Sequence, residues 1–104
     1  MAVNLQALPI QTSKGIAEGI SLKWESFSLL LIGAPKGFLG CCIFDLNITQ
    51  GFKMPCALVE SAPGNPIGTL DRMLTRKIMS VNEEAKKLGI EVGMSVPEAL
   101  EKLF

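Results

Sequence analysis

The segment from Leu29 to Asp45 constrains the fold more than any other part of the chain. It reads LLLIGAPKGFLGCCIFD, two short apolar runs joined by residues 34–37. Proline presets φ at the second position of a tight turn and Gly37 tolerates the conformation that follows, so the segment predicts a β-hairpin. Because the runs are apolar at almost every position, we expect both faces of the hairpin to be covered by a second layer or by a partner subunit.

The length and the apolar content of the chain also bear on how its apolar surface is covered. A length of 104 residues predicts one domain, 1–104, with one modest core. Hydrophobic residues make up 48% of the chain, which is high for a small domain. No apolar run approaches the ~20 residues that a membrane-spanning helix needs, so we expect no membrane partner. The apolar excess instead predicts an interface between copies of the chain.

Charge and cysteine content exclude several classes of function. Ten basic and ten acidic residues give a net charge of zero with no basic stripe, so nucleic acid is not an expected partner. The first residues lack the basic and apolar regions of a signal peptide, and three cysteines fit a reducing compartment, so we expect a cytoplasmic protein. Histidine is absent, which excludes Ser-His-Asp and Cys-His catalysis and imidazole-bound zinc.

The order of elements predicts the fold class. Val3–Gln11 contains Pro9 and is expected to be an edge strand or a crossing segment. The stretch 16–24 alternates, with large apolar residues on one side interrupted only by Glu18. Further strands are predicted at 27–32, 37–44 and 56–60. Helices are predicted late in the chain, with S-x-x-E capping boxes beginning at Ser80 and Ser95. We therefore predict an α+β fold, in which a mostly antiparallel N-terminal sheet of about five strands is followed by C-terminal helices packed on it.

Several stretches together resemble the YunC-like family of small bacterial and archaeal proteins of unknown function. The resemblance covers the chain from about Gly15 and is carried by the Cys41-Cys42 hairpin, the TLDRML stretch at 69–74 and the AKKLGIEVGMSVPEAL stretch at 85–100. It implies an α+β domain that forms tetramers through its N-terminal β region, and it implies no established reaction. This chain has Cys42 where the family pattern has a glycine.

The candidate catalytic residues are Cys41 and Asp45. Cys41 is a possible nucleophile or redox thiol, although a buried cysteine in a strand more often acts as a small hydrophobe. Asp45 follows the strand and could serve as an acid or base beside Cys41, although its position is more typical of a helix N-cap. The three cysteines lack the C-x₂-C spacing of a metal site, so we predict no metal and no cofactor.

The candidate ligand-binding residues follow in the loop 61–68. Its glycines precede a predicted helix start, where free amides favour an anion, and the candidate residues for a small anionic ligand are Gly64, Gly68, Thr69 and Arg72. An ordinary surface loop has the same composition. Arg72, Arg76 and Lys77 form either a small cationic patch or a solvated helix face.

Two hypotheses of function remain open from the sequence. In the first, the protein is a small homo-oligomer, a tetramer by the family resemblance, whose apolar β face joins the copies. In the second, it is a small-molecule-binding protein or an enzyme, with a pocket between Cys41 and the loop that ends at Thr69. The sequence makes no choice between an enzyme and a protein without a reaction.

Overall fold

The computed structural model describes residues 3–104, which form six strands and four short helices. The strands are β1 (Val3–Gln11), β2 (Ile16–Trp24), β3 (Phe27–Ala34), β4 (Gly37–Gly40), β5 (Cys56–Val59) and β6 (Ile78–Val81). The helices are α1 (Leu46–Gly51), α2 (Leu70–Met73), α3 (Glu83–Lys87) and α4 (Val96–Glu101). None of the helices in this described part is long and apolar enough to cross a membrane.

The strands form one sheet in the order in which they occur along the chain. Every neighbouring pair is antiparallel except β4 and β5, which are parallel and are joined by a crossover that contains α1. The α+β class is confirmed, with six strands instead of about five; α1 lies between β4 and β5, and α2 lies between strands because the additional strand β6 follows it. The strand that contains Pro9 lies at the edge of the sheet, as one of its two predicted placements required.

The capping box predicted at Ser80 is wrong, and its error explains the missed sixth strand. Ser80 pairs with Leu58 inside the sheet, and the N-cap of α3 is Asn82, whose side chain accepts a hydrogen bond from the Ala85 amide. The box predicted at Ser95 is confirmed, since the Ser95 hydroxyl accepts from the Glu98 amide at the start of α4. A cap motif is local, and Ser80 shows that a contact with a distant strand overrides it.

One face of the sheet, the core face, is covered by α2, α3, α4 and the loops around them except over β1, where Asn4, Gln6 and Leu8 are exposed. Buried side chains from the strands meet buried side chains from the second layer. The strand residues of this core are Ala17, Leu30, Ile32, Leu39, Ala57, Val59 and Ile78, and those of the second layer include Ile67, Leu70, Met73, Ala85, Ile90, Val96, Ala99, Leu100 and Leu103.

Strand β2 presents its small residues to this core. Ala17, Gly19 and Ser21 are buried, because neighbouring side chains approach the strand closely from the core face. A Cβ atom at Gly19 would lie 2.7 Å from Ile10 Cδ1 and 3.1 Å from Leu70 Cδ1. The larger side chains of β2 consequently project from the opposite face.

The opposite, outer face of the sheet is covered at one end only. Phe44 packs on Phe38 with ring centroids 5.2 Å apart, and α1 contacts β5, so the outer face of β4 and β5 is protected. Along residues 3–34, by contrast, no side chain of the outer face is fully buried. The expectation that both faces of the β3–β4 hairpin are covered therefore holds for β4 but not for β3.

Candidate functional site

A groove of about 560 Å³ lies at the end of the sheet where β4 and β5 both finish. Because these two strands are parallel, their carboxyl ends meet at the same edge, and the segments that follow them form two walls of the groove. The third wall is the turn between β2 and β3. The lining consists of Ser26, Phe27, Ser28, Leu30, Cys41, Cys42, Ile43, Ser61, Ala62, Pro63, Pro66, Ile67 and Gly68.

Both adjacent cysteines contribute to this groove from different environments. Cys41 directly follows β4, and its amide donates a hydrogen bond to the Leu30 carbonyl at 3.1 Å, which fixes the wall against β3. Cys41 is only 6% exposed, whereas Cys42 lies in the turn that follows and is exposed. Both are free thiols. The groove therefore combines one sheltered thiol with one that solvent reaches.

The loop wall is held in place by a residue whose role the sequence did not reveal. The Arg76 guanidinium donates hydrogen bonds to the carbonyls of Glu60, Asn65 and Pro66 at 3.0–3.3 Å and to Asn65 Oδ1 at 3.1 Å. A tight turn in which Ala62 and Asn65 exchange backbone hydrogen bonds completes the loop. Arg76 is thus a structural residue of the groove wall and not part of a solvated helix face. The spacing carries no signal for it, because an arginine that binds main-chain carbonyls has no partner motif.

The structure brings together only some of the predicted site residues. Cys41 and Gly68 line the same groove, and Gly68 has a φ of +70°. Asp45 caps α1, with its Oδ1 accepting from the amides of Asn47 at 2.8 Å and Ile48 at 3.3 Å. That cap is the more ordinary of its two predicted roles.

The remaining predicted residues lie away from the groove lining. The Thr69 hydroxyl accepts from the Arg72 amide at 3.2 Å and caps α2. Thr69 also borders a separate, smaller cleft that it shares with Gln6 and Ser21. Gly64 is surrounded by open space at the tip of the loop. The roles of these residues in ligand binding stay predictions.

The electrostatic character of the groove follows from its lining, which contains no charged side chain. Its polar groups are hydroxyls and thiols, and its walls are mostly aliphatic, aromatic or proline. Such a surface favours an uncharged and largely apolar ligand, since a charged one would lose its water without gaining a partner.

The third cysteine, Cys56, lies outside this groove. It is fully buried in β5, and this burial raises the pKa of its thiol from 9.0 to about 11 although a hydrogen bond with Thr49 opposes the shift. Within residues 3–104, no cluster of cysteines and carboxylates has the arrangement of a metal site.

A family model described as a domain of unknown function, DUF1805, matches residues 40–103, which is more than half of the chain. The chain belongs to the DUF1805 family. The matched region begins at the end of β4 and contains both groove cysteines, the loop that carries Gly68 and the described helices. The first three strands lie outside it.

A solved structure extends the likeness to the whole chain. The crystal structure of a protein of unknown function, TA1206, from Thermoplasma acidophilum has a TM-score of 0.85 to this chain at 22% sequence identity. The similarity covers 100% of this chain and 97% of that chain, so the fold shared by the two proteins includes β1–β3. A search of curated proteins finds no match. Membership of a small family of unknown function is thus established, while the YunC-like name stays a prediction.

Proposed function

We propose that this protein is a self-assembling subunit whose copies join through the outer face of β1–β3. The outer face comprises the residues that project away from the core on these strands: Val3, Leu5, Ala7, Ile20, Leu22, Trp24, Phe27, Leu29 and Leu31. One observation carries the proposal. These apolar side chains form a continuous surface, and none of them is fully buried within a single copy.

The exposure of this surface is substantial. Leu5 is 66% exposed, Val3 55% and Phe27 40%. The charge pattern agrees, because Glu18 is the one charged residue that β1–β3 carry on this side and it lies at the far end. A contiguous apolar patch with charge only at its margin is typical of a protein interface.

The size of the assembly and its location are the finer parts of the proposal. The YunC-like resemblance implies a tetramer formed through the N-terminal β region, and the outer face occupies that region. A cytoplasmic location is consistent with free thiols at the surface and in the core. We adopt a cytoplasmic homotetramer as the predicted state.

The test uses charge placed in the outer face. Leu22→Asp should split the assembly into smaller species, because an unpaired carboxylate in an apolar interface loses its hydration. The matched control is Val92→Asp, which replaces a side chain that is 63% exposed in the loop between α3 and α4, on the core side of the sheet. Native mass spectrometry and sedimentation velocity report the mass of each variant. A wild-type protein that stays monomeric at every concentration refutes the proposal.

A second candidate function is supported by the groove. We propose that the groove binds a small, uncharged and largely apolar molecule next to Cys41. We prefer this ligand class to the small anionic ligand predicted from the sequence. The support is the combination of a 560 Å³ groove, in the size range of ligand pockets, with a lining free of charge.

This candidate is tested by ligand retention and by thiol chemistry. Native mass spectrometry of freshly purified protein should show an added mass that Ser28→Trp, which enlarges a partly exposed side chain of the groove lining, abolishes. A nucleophilic role requires that Cys41 alkylate faster than glutathione at neutral pH. A clean polypeptide mass together with a slow Cys41 thiol would eliminate this function and leave the assembly proposal intact.

A further inference from the structure

The sheet has two edges, and among residues 3–104 backbone hydrogen bonds from another segment reach only one of them. Strand β6 forms the far edge, where the Ile78 amide donates to the Met94 carbonyl at 2.8 Å and the Gly93 amide donates to the Ile78 carbonyl at 2.8 Å. The segment 93–95 therefore covers that edge. Strand β1 forms the other edge and has no neighbour on its outer side among the described residues. Exposed edges of this kind are templates for adding another strand.

The hydrogen-bond pattern identifies which groups of β1 point outward. In an antiparallel ladder, residues alternate between pairs that exchange hydrogen bonds and pairs that do not. The Thr12 amide donates to the Gly15 carbonyl at 2.8 Å, so this pair is a bonded one. Counting back along the β1–β2 register, the even residues of β1 bond to β2 and the odd residues direct their amides and carbonyls outward.

A second observation, at β3 and β4, leads to the same assignment of inward and outward backbone groups on β1. The Cys41 amide bonds to the Leu30 carbonyl, so the even residues of β3 face β4 and its odd residues face β2. Carrying this alternation through β2 again leaves the odd residues of β1 free. Pro9 agrees, because its position places the missing amide hydrogen on the outward side, where a sheet tolerates proline.

We infer that a second copy of this chain pairs with β1 in antiparallel orientation, about a two-fold axis that passes between the two Leu5 residues. This inference rests on the proposed self-assembly and specifies how two of its subunits meet. The free backbone groups of Val3, Leu5 and Ala7 provide the bonds, with Val3 of one copy opposite Ala7 of the second copy. Pairing ends before Pro9, since its ring occupies the place of a bonding hydrogen.

The geometry also explains why edge pairing and the outer face belong together. A two-fold axis perpendicular to the sheet keeps both outer faces on the same side. One outer face, three strands wide and five residues long, has a projected area of only about 240 Å² at standard strand spacings. Joining two copies along β1 doubles it to about 480 Å² and makes one continuous apolar surface, on which a second pair of subunits can pack.

The inference is tested by crosslinking in a Cys42→Ser background, which removes the exposed native thiol. In Leu5→Cys the two introduced thiols would lie opposite each other, with Cα atoms about 5.5 Å apart, and dibromobimane should join them. The matched control is Gln11→Cys, also exposed and on β1, whose two copies would be about 40 Å apart in this register. We expect rapid dimer formation for Leu5→Cys and none for Gln11→Cys. Equal crosslinking of both variants would overturn the register.

A backbone variant separates edge pairing from face packing. Ala7→Pro removes an outward amide that has no partner among residues 3–104, so the monomer should fold while the assembly falls to half its mass. Far-ultraviolet circular dichroism checks the fold and sedimentation velocity the mass. If Leu22→Asp splits the assembly while Ala7→Pro leaves its mass unchanged and Leu5→Cys does not crosslink, edge pairing is overturned and the proposed function stands. A monomeric wild type overturns both.

Discussion

The side chain of Asn82 ties together three segments that are distant in sequence. Its Oδ1 accepts hydrogen bonds from the Cys56 amide at 3.1 Å and the Ala85 amide at 2.9 Å, and its Nδ2 donates to the Met54 carbonyl at 2.8 Å and to Thr49 Oγ1 at 3.3 Å. Asn82 is only 5% exposed. One amide group therefore fastens the start of β5 to the start of α3 and to the end of the α1 segment.

Replacing Asn82 by alanine should destabilise the protein severely. The amides of Cys56 and Ala85 both donate in buried hydrogen bonds, and each would lose its acceptor. A buried donor without a partner costs about 1–3 kcal/mol, so the pair predicts a loss of about 4 kcal/mol. The bond to the Met54 carbonyl is only partly buried, so water can replace it. The loss would be a large part of the 5–15 kcal/mol that typically stabilises a domain.

Urea denaturation followed by circular dichroism measures this change as a difference in the free energy of unfolding. Asn82→Asp tests the acceptor separately, because its carboxyl group keeps an acceptor for both amides, while its second oxygen replaces the donor that faces the Met54 carbonyl oxygen. We expect Asn82→Asp to be more stable than Asn82→Ala at a pH low enough to protonate this carboxyl group, which then donates to Met54, and to lose the advantage at higher pH, where the ionised group repels the carbonyl. A loss below about 1 kcal/mol for Asn82→Ala, the size of an ordinary surface substitution, would refute the reasoning.

Three further predictions concern single residues. Gly37→Ala should lower stability by at least about 2 kcal/mol in urea denaturation because its Cβ would collide with the Pro55 carbonyl oxygen, whereas Gly64→Ala, in open space, should change nothing. Iodoacetamide at neutral pH should modify Cys42 and leave Cys56 unmodified until the protein unfolds, as peptide mass mapping would show. Between about pH 9 and 11 the Cys56 thiol ionises in the unfolded chain but keeps its proton in the folded one. The free energy of unfolding should therefore fall with pH more steeply for the wild type than for Cys56→Ala. Parallel curves of unfolding free energy against pH for the two proteins would contradict this.

The parts of the fold that sequence predicts well are those fixed by local contacts. The turn at residues 34–37 and the caps at Asp45 and Ser95 depend on neighbours within a few positions, and the structure has them. Strand β6 was missed because its four residues gain their stability from pairing with β5 and from the 93–95 segment, contacts that no local pattern reports. The six-stranded sheet could therefore be predicted only in outline.

The orientation of β2 shows a second limit of sequence reasoning. Its alternation is plain, but alternation does not say which side meets the core. Gly19 faces inward where Ile10 and Leu70 leave no room for a side chain, Ala17 and Ser21 share its face, and this is known only once the second layer is in place.

The candidate groove was predictable in part for a similar reason. Cys41 and the loop that contains Gly68 each follow a strand, and strand ends that share an edge bring such segments together. The absence of Thr69 and Arg72 from the groove lining was not predictable. A shift of one residue in where a helix begins changes the direction of every side chain by about 100°. The sequence did not indicate that Arg76 holds the loop. Its acceptors are backbone carbonyls, which every residue has, so no particular partner residue marks the interaction.

Strand β2 directs its small residues to the core and its large apolar residues outward. The register of the β2–β3 hairpin is therefore decisive for folding. A slip of one residue against β3 would turn every side chain over, placing Ile20 and Leu22 in the interior and Ala17 and Ser21 outside. Such a misfolded chain would bury these large apolar side chains within one copy. It would then lack the apolar outer face proposed to bind a second copy. The native register is set by a two-residue turn at Glu25 and Ser26, in which Glu25 has a φ of 51°. A turn of two exposed residues thus decides whether a newly made copy has the apolar outer face that the proposed assembly requires.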